Sequence, residues 1–175
     1  MLRVEETQIM QALPVVADVT IRDDVRRVVR AAIERFGHID VWVNNAGRGI
    51  TRMPTELTDS DLDDMVRINV KSVLYGMQEV LPHFKERGSG QVVNISSMQG
   101  MIGMNPWLYE GTTMGVPPDY FFHKGGMINL TRHYASLFGP RKVRVNVVSP
   151  GGIFNPEKPQ PEPFLGRYNK MTMMK

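Results

Sequence analysis

The sequence predicts an α/β fold in which a parallel sheet is covered by helices on both faces. Three observations indicate this class. Short valine-rich runs alternate with amphipathic stretches, glycine and proline mark their boundaries, and no repeat period is present. Of the 175 residues, 42% are hydrophobic and 22% are charged, as is typical of one ordinary domain with its own core. We therefore predict a single domain over residues 1–175.

The first elements are predicted from a valine-rich run and from a helical periodicity. The run LPVVADV at 13–19 has the composition of a buried strand. Residues 22–36 place apolar side chains at helical spacing, and Gly37 follows as a helix stop. The segment IDVWVNNAG at 39–47 predicts a second strand that runs into a glycine turn. A strand, a helix and a second strand thus open the predicted order.

Local signals also delimit the longer helices. Thr58 and Asp61 form a capping-box pattern at a helix start, and Pro82 is expected to bend that helix near its end. Gly139 and Pro140 form a stop signal for the next helix. In such parallel sheets ligands bind beyond the carboxyl ends of the strands. The remaining predicted elements are a helix over 65–86, a strand over 91–97, a helix over 119–138 and a strand over 143–150.

Composition narrows the possible classes of protein and site. The absence of cysteine excludes disulfides and thiolate metal sites, so we predict no metal and permit a cytoplasmic location. No apolar run reaches the roughly 20 residues of a membrane span, and no signal-peptide layout is present. Residues 1–65 carry 8 basic and 12 acidic side chains, whereas residues 66–175 carry 13 and 6. No basic run is interleaved with aromatic residues, so we predict no nucleic-acid partner.

Four short motifs then occur in one order along the chain. They are NNAG at 44–47, NISSMQG at 94–100, YFFHK at 120–124 and SPGG at 149–152, each at a predicted strand end or helix start. Together they resemble the short-chain dehydrogenase/reductase family, whose members are nicotinamide-dependent enzymes on a Rossmann-like sheet. The resemblance extends from about residue 13 to the C-terminus. It implies an NAD- or NADP-dependent oxidoreductase that interconverts a secondary alcohol and a ketone.

The resemblance also implies four catalytic residues. Tyr120 matches the family's acid/base, and Lys124 matches the lysine that favours ionisation of the phenol and binds the nicotinamide ribose. Ser97 matches the serine that bonds the reacting oxygen, and it is preferred to Ser96 because its S-x-x-G pattern ends on Gly100. Asn69 matches the asparagine of the proton relay. A cation about 4 Å away stabilises an anion by roughly 4 kcal/mol at an effective dielectric near 20, which suits these roles.

Further positions are implied as cofactor contacts, and two residues are set aside. Tyr109 is no alternative acid/base, because Thr113 stands four residues later. His123 lies on another helix face than Tyr120 and is expected to be structural. By resemblance, Tyr120 and Lys124 also contact the cofactor. The other implied contacts are Asp18 and Val19 beside the adenine, Asn45, Ala46 and Gly47 on the adenosine side, and Pro150, Gly151 and Ile153 around the nicotinamide.

The chain departs from the family pattern in two ways. It contains no T-G-x-x-x-G-x-G turn, so we expect the first two strands and the pyrophosphate site to be absent, and the C-terminus to stop early. Binding of a dinucleotide should therefore be weak or absent. The interval from Ser97 to Tyr120 is about ten residues longer than usual. Its insert, NPWLYEGTTMGVPP at 105–118, is either a substrate-side overhang or a longer surface loop.

Several alternatives stay open at this point. The insert and SPGGIF are similar to members that act on sugars, so the substrate is a small alcohol or ketone that is sugar-like or another polyol. Preference for NAD or NADP is not readable, because its selector would end the missing second strand. The helices at 65–86 and 119–138 match those with which the family forms homo-oligomers. A catalytically inactive fragment or subunit that acts only through association is therefore the competing hypothesis, and an incomplete gene model is a third.

Overall fold

The computed structural model describes residues 11–50, 52, 54–115 and 118–173. Within these ranges the helices and strands follow the predicted order, with the segment at 13–19 as the exception. The elements are α1 (Arg22–Phe36), β1 (Val41–Asn44), α2 (Asp59–Val66), α3 (Ser72–Arg87), β2 (Gly90–Ile95), α4 (Pro106–Tyr109), α5 (Pro118–Phe138), β3 (Val143–Val148) and α6 (Glu162–Met171).

The three strands form one parallel sheet in the order β1-β2-β3. Val43 of β1 lies opposite Val93 of β2, and Val92 of β2 lies opposite Val145 of β3. Parallel neighbours need a crossover between them, and α3 and α5 are parts of those crossovers. This arrangement confirms the predicted class, an α/β fold with a parallel sheet of the Rossmann type. Because all strands run the same way, their carboxyl ends meet at one edge.

A single apolar cluster joins the sheet to three helices. Val92, Val143 and Val145 face α1, α3 and α5, whose buried members include Phe84 and Met127. Successive side chains of a strand point to opposite faces. Accordingly the alternate strand residues Val41, Val43 and Val148 are 47%, 52% and 48% exposed. Within the described part of the chain, the helices α1, α3 and α5 therefore cover one face of the sheet, whereas the sequence predicted helices on both faces.

The segment at 13–19 is not a strand, which corrects the prediction. A strand persists when a neighbour completes its backbone hydrogen bonds. Here the segment bonds to α1 instead, since the amide of Asp18 donates to Asp24 and Arg27 donates to the carbonyl of Val16. Val16 is 92% exposed. Valine content alone predicted a strand, but the described residues provide no partner for it.

The helix predicted over 65–86 begins earlier and contains a widened turn. Thr58 and Asp61 form the predicted capping box at the start of α2. A π-helical turn over Arg67–Lys71 then joins α2 to α3, and it carries the buried Asn69. Such single π turns are frequent at functional sites, because the extra residue redirects a side chain. The sequence motif INVKS therefore coincides with a break in regular helical geometry.

None of the described helices is both long enough and apolar enough to cross a membrane.

Candidate active site

A cleft of about 530 Å³ opens where the three strands end. Its walls come from the segments that follow β1, β2 and β3 and from the first turns of α5. Two cations, Arg48 and Lys124, line it, and no carboxylate does. The lining residues are Asn45, Gly47, Arg48, Gly49, Ile95, Ser96, Ser97, Gln99, Tyr120, Lys124, Pro150, Gly151 and Ile153.

Tyr120 and Lys124 lie in successive turns of α5 and both face this cleft. The ammonium nitrogen of Lys124 is 5.4 Å from the ring centroid of Tyr120. The ammonium donates one hydrogen bond of 2.7 Å to the main-chain carbonyl of Ile95. Lys124 is only 5% exposed, and this burial lowers the pKa of its ammonium below the ordinary value of a lysine. A partly desolvated cation thus sits beside a phenol, as the i, i+4 spacing predicted.

The two adjacent serines after β2 have different surroundings. The hydroxyl of Ser96 is buried and donates to the main-chain carbonyl of Lys124 at 2.8 Å. The hydroxyl of Ser97 accepts a hydrogen bond from the amide of Gln99, and the side chain is half-buried at the cleft. A hydroxyl that accepts one bond retains its own proton for another acceptor. Ser97 is therefore the serine that can bond a ligand oxygen.

Asn69 does not line the cleft but holds one of its edges. Its side-chain amide donates to the carbonyl of Arg48 at 2.7 Å, and its carbonyl oxygen accepts from the amide of Arg48 at 3.1 Å. Both bonds fix the main chain that follows the NNAG motif. At Gly47 a β-carbon would stand 2.9 Å from the Asn69 oxygen, so a side chain there would force Asn69 to move. Asn69 and Gly47 thus fit together as parts of one turn.

The predicted site residues fall into three groups in this structure. Ser97, Tyr120 and Lys124 line the cleft together, and Asn69 bonds to its rim. Asp18, Val19 and Ala46 are not among the lining residues. Sequence reasoning missed Arg48, Gly49 and Gln99, although Arg48 and Gly49 follow the NNAG motif and Gln99 lies within NISSMQG. The predicted cofactor contacts that do line the cleft are Asn45, Gly47, Tyr120, Lys124, Pro150, Gly151 and Ile153.

The insert at 105–118 packs against α6 beside the cleft, although Val116 and Pro117 lie outside the described residues. The Tyr109 ring contacts Phe164 with centroids 5.3 Å apart, and Phe164 stacks on Tyr168 at 5.6 Å. Gln99, which lines the cleft, reaches the Tyr109 hydroxyl at 3.5 Å. The Tyr168 hydroxyl accepts from the amide of Gly152. The insert and α6 are thus connected to both the Ser97 side and the Gly151 side of the cleft.

Among the described residues, no group of three or more histidine, aspartate or glutamate side chains could hold a metal ion.

Comparison with known proteins gives a family match over most of the chain. The model of the short chain dehydrogenase family matches residues 3–158. Levodione reductase of Leifsonia aquatica is 37% identical over 147 residues, which cover 83% of this chain and 51% of that protein. The 2-dehydro-3-deoxy-D-gluconate 5-dehydrogenase of Escherichia coli K12 is 32% identical over 79% of this chain and 51% of its own length. The chain therefore spans about half the length of the curated relatives that it matches.

Solved structures with bound nicotinamide cofactors resemble this fold. A short chain dehydrogenase of Leptospira borgpetersenii with bound NAD⁺ superimposes with a TM-score of 0.77 and 27% identity, over 87% of this chain and 57% of that one. ElxO with bound NADP gives a TM-score of 0.69 and 27% identity, over 87% and 56% of the two chains.

Proposed function

The chain belongs to the short-chain dehydrogenase family, and from that membership we propose that it is an NAD(P)-dependent oxidoreductase that interconverts a secondary alcohol and a ketone. One observation carries the proposal. Tyr120, Lys124 and Ser97 line a single cleft at the carboxyl ends of the strands, and Asn69 bonds to the rim of that cleft. Those are the side chains that such chemistry requires, since a proton must be moved while the carbonyl oxygen is held.

The cleft has groups that fit the nicotinamide half of the cofactor. An ammonium has three donors, and one Lys124 N–H is used by Ile95 in the described residues, so two remain for ribose hydroxyls. Gly47 lies beside this amine, since a β-carbon there would be in van der Waals contact with the Lys124 nitrogen at 3.8 Å. The glycine-rich turn that holds a pyrophosphate in Rossmann folds is not found within residues 1–175. We therefore propose that residues 1–175 by themselves bind NAD or NADP weakly. Two solved structures similar to this chain contain NAD⁺ and NADP.

The residues of the cleft divide the chemical work among them. The bound cofactor supplies the hydride acceptor or donor. Tyr120 takes the hydroxyl proton of the alcohol during oxidation and returns it during reduction, while the positive charge of Lys124 stabilises its phenolate. Ser97 donates its hydroxyl proton to the reacting oxygen, because its own oxygen already accepts from Gln99. Asn69 holds the strand-end turn that forms one wall.

For the substrate we propose a small sugar-like or other polyol. The support is the pair of segments beside the cleft, the insert at 105–118 and α6, which carry the aromatic hydroxyl groups of Tyr109 and Tyr168, and Gln99 of the cleft lies next to Tyr109. One relative acts, by its name, on a deoxygluconate, whereas another is named for levodione. Aromatic rings offer apolar contact surface to a substrate, and hydroxyl or amide groups fix the orientation of that substrate.

We also propose that the chain is one domain and forms a homo-oligomer through the helices at 65–86 and 119–138. The supporting feature is a groove of about 220 Å³ between α3 and α5, lined mostly by apolar side chains. At its edge Phe122 is 78% exposed, which is unusual for so large an apolar residue. A cytoplasmic location stays a prediction.

Turnover measured at millimolar cofactor tests the proposed activity. The purified chain is incubated with NAD⁺ or NADP⁺ and a panel of polyols, and with the reduced cofactors and the matching ketones. We expect turnover that falls about 10²- to 10⁴-fold in Tyr120→Phe. The matched control is Tyr134→Phe on the same helix, which should leave the rate unchanged. Micromolar affinity in an NADH titration would contradict the weak binding. No turnover at millimolar cofactor would favour the inactive subunit.

A further inference from the structure

Tyr168 of α6 contacts the turn at 150–153, which follows β3 and forms one wall of the cleft. The hydroxyl of Tyr168 accepts a hydrogen bond from the amide of Gly152 and lies 3.8 Å from the sulfur of Met98. Met98 directly follows Ser97, so this one hydroxyl contacts the segments on both sides of the cleft. A thioether is only a weak acceptor, so the bond with Gly152 is the stronger of the two contacts.

Glycine at position 152 lets the ring of Tyr168 lie this close to the main chain. A β-carbon on Gly152 would stand 2.9 Å from both Cζ and Oη of Tyr168, and one on Gly151 would stand 3.1 Å from Oη. Non-bonded carbon atoms have their best separation at about 3.5–4.0 Å. An alanine at position 152 would therefore push the ring away from the turn.

The position of the turn depends on hydrogen bonds more than on packing. Ile153 is 75% exposed, so its side chain buries little apolar surface. Beyond Pro150 the main chain bonds to α6 and to the segment that leads into it, because Gly152 donates to Tyr168 and Gln160 donates to the carbonyl of Ile153 at 3.4 Å. Segments with few buried apolar contacts open locally at a low cost in free energy. The turn therefore keeps its place through α6.

The insert at 105–118 contacts α6 next to Tyr168. The guanidinium of Arg167 donates to the main-chain carbonyl of Glu110, and its central carbon is 5.6 Å from the ring centroid of Trp107. Tryptophan is the aromatic side chain that attracts a cation most strongly. Arg167 directly precedes Tyr168, so the residue that binds the insert adjoins the residue that binds the turn.

We infer that Tyr168 is a positioning residue, which transmits the docking of α6 on the insert to the turn at 150–153. This inference rests on the proposed function, in which the cleft beside that turn binds the nicotinamide. The turn separates two spaces, because Gly151 and Ile153 line both the cleft and a neighbouring chamber of about 640 Å³ beside α6. Loss of the Tyr168 bond should thus weaken the binding of substrate and cofactor, while Tyr120 keeps its proton transfer.

Hydrogen exchange at the amide of Gly152 tests the bond without any need for activity. Measured by NMR on the full chain, this exchange should be about threefold to tenfold faster in Tyr168→Phe, because the amide loses its acceptor. The phenyl ring keeps the stacking on Phe164, so the variant should fold as wild type does. Tyr134→Phe on α5 is the control and should leave the exchange unchanged. Equal exchange rates in wild type and Tyr168→Phe would overturn the inference.

A second pair of variants tests the link to the insert. Arg167→Met removes the donor to Glu110 and should accelerate exchange at Gly152 about threefold, because α6 then opens more readily. Lys170→Met replaces an exposed cation on the same helix and is the matched control, which should leave this exchange unchanged. Wild-type exchange in Arg167→Met, beside faster exchange in Tyr168→Phe, would show that the turn does not depend on the insert and would overturn the transmission.

Kinetics test the effect on the site. In Tyr168→Phe we expect KM for substrate and cofactor to rise about threefold to tenfold, with an unchanged kcat and pH profile, because the bond holds a wall of the site and not the reacting atoms. A lower kcat with an unchanged KM would mean that Tyr168 only stabilises the fold, and a shifted pH profile would place it in the proton transfer. Either result would overturn the positioning role. Full activity in Tyr120→Phe would instead refute the proposed function, and the exchange rates would still test the bond.

Discussion

The hydroxyl of Ser96 donates a hydrogen bond of 2.8 Å to the main-chain carbonyl of Lys124. This bond ties the end of β2 to the middle of the turn that presents the proposed catalytic lysine. The next residue, Ser97, makes no such bond to α5 and faces the cleft instead. Two neighbouring serines of one motif therefore have different surroundings, one bonded to the helix and one facing the cleft, and we predict different roles for them.

The first prediction separates these two serines by substitution. Ser96→Ala should lower the free energy of unfolding by about 1 kcal/mol, because a buried hydrogen bond is lost. Ser97→Ala should leave stability unchanged and lower kcat about 10²- to 10³-fold, because one donor to the reacting oxygen is removed. Denaturant unfolding and steady-state kinetics on both variants measure the two effects. The reverse pattern, with catalysis lost in Ser96→Ala alone, would show that the roles are exchanged.

The second prediction concerns the space between the S-x-x-G motif and α5. A β-carbon on Gly100 would stand 2.7 Å from the carbonyl carbon and oxygen of Lys124, and main-chain atoms cannot move away cheaply. Gly100→Ala should therefore destabilise the fold by about 1–3 kcal/mol and displace the lysine. Gly103→Ala is the matched control, because nothing lies within 4 Å of its added carbon. Equal unfolding midpoints for the two variants would contradict the close approach.

Particular residues show how far the sequence could predict this structure. The capping box at Thr58 and Asp61, the stop at Gly139 and the pair Tyr120–Lys124 depend on local spacing, and the structure has them in place. The valine run at 13–19 failed as a strand, because a strand depends on a neighbour that local composition does not report. The burial of Asp119 and His123 was equally unreadable. Helical geometry predicted that His123 lies on another face than Tyr120, but it could not predict which element would cover that face.

The third prediction follows from an ion-pair network between α1 and α3. Partial burial opposes ionisation of Glu79, but hydrogen bonds from Arg22 and Arg26 outweigh it and lower the pKa of the carboxyl. A lowered folded-state pKa adds stability above the unfolded value near 4.5, and this stability is lost as the pH falls through the folded value. Glu79→Gln should thus cost about 1 kcal/mol at pH 7. The cost should decrease as the pH falls from the unfolded value towards pH 3.

Urea unfolding of wild type and Glu79→Gln across this pH range measures the difference directly. The exposed Glu86, on the same helix, provides the control Glu86→Gln, which should stay close to wild type throughout. A difference that persists undiminished at pH 3 would mean that Glu79 stabilises the helix pair through packing alone.

The fourth prediction is that Lys124 is needed for turnover but lowers the stability of the fold. Because burial lowers the pKa of this lysine, the folded state resists its protonation, and the charged form costs stability wherever the unfolded chain is protonated. Lys124→Met should therefore abolish turnover and yet raise the free energy of unfolding at pH 7, because the apolar side chain removes the cost of burying a charge. The lost bond to Ile95 reduces this gain without reversing it. As the pH rises from the folded pKa towards the unfolded value near 10.5, the stability advantage of the variant should shrink, because the wild-type lysine loses its proton.

Unfolding experiments at pH 7 and near pH 10 measure this difference in stability, with the exposed Lys85→Met as the control. A Lys124→Met variant less stable than wild type at both pH values would show that the ammonium supports the fold through its hydrogen bond more than its burial weakens it.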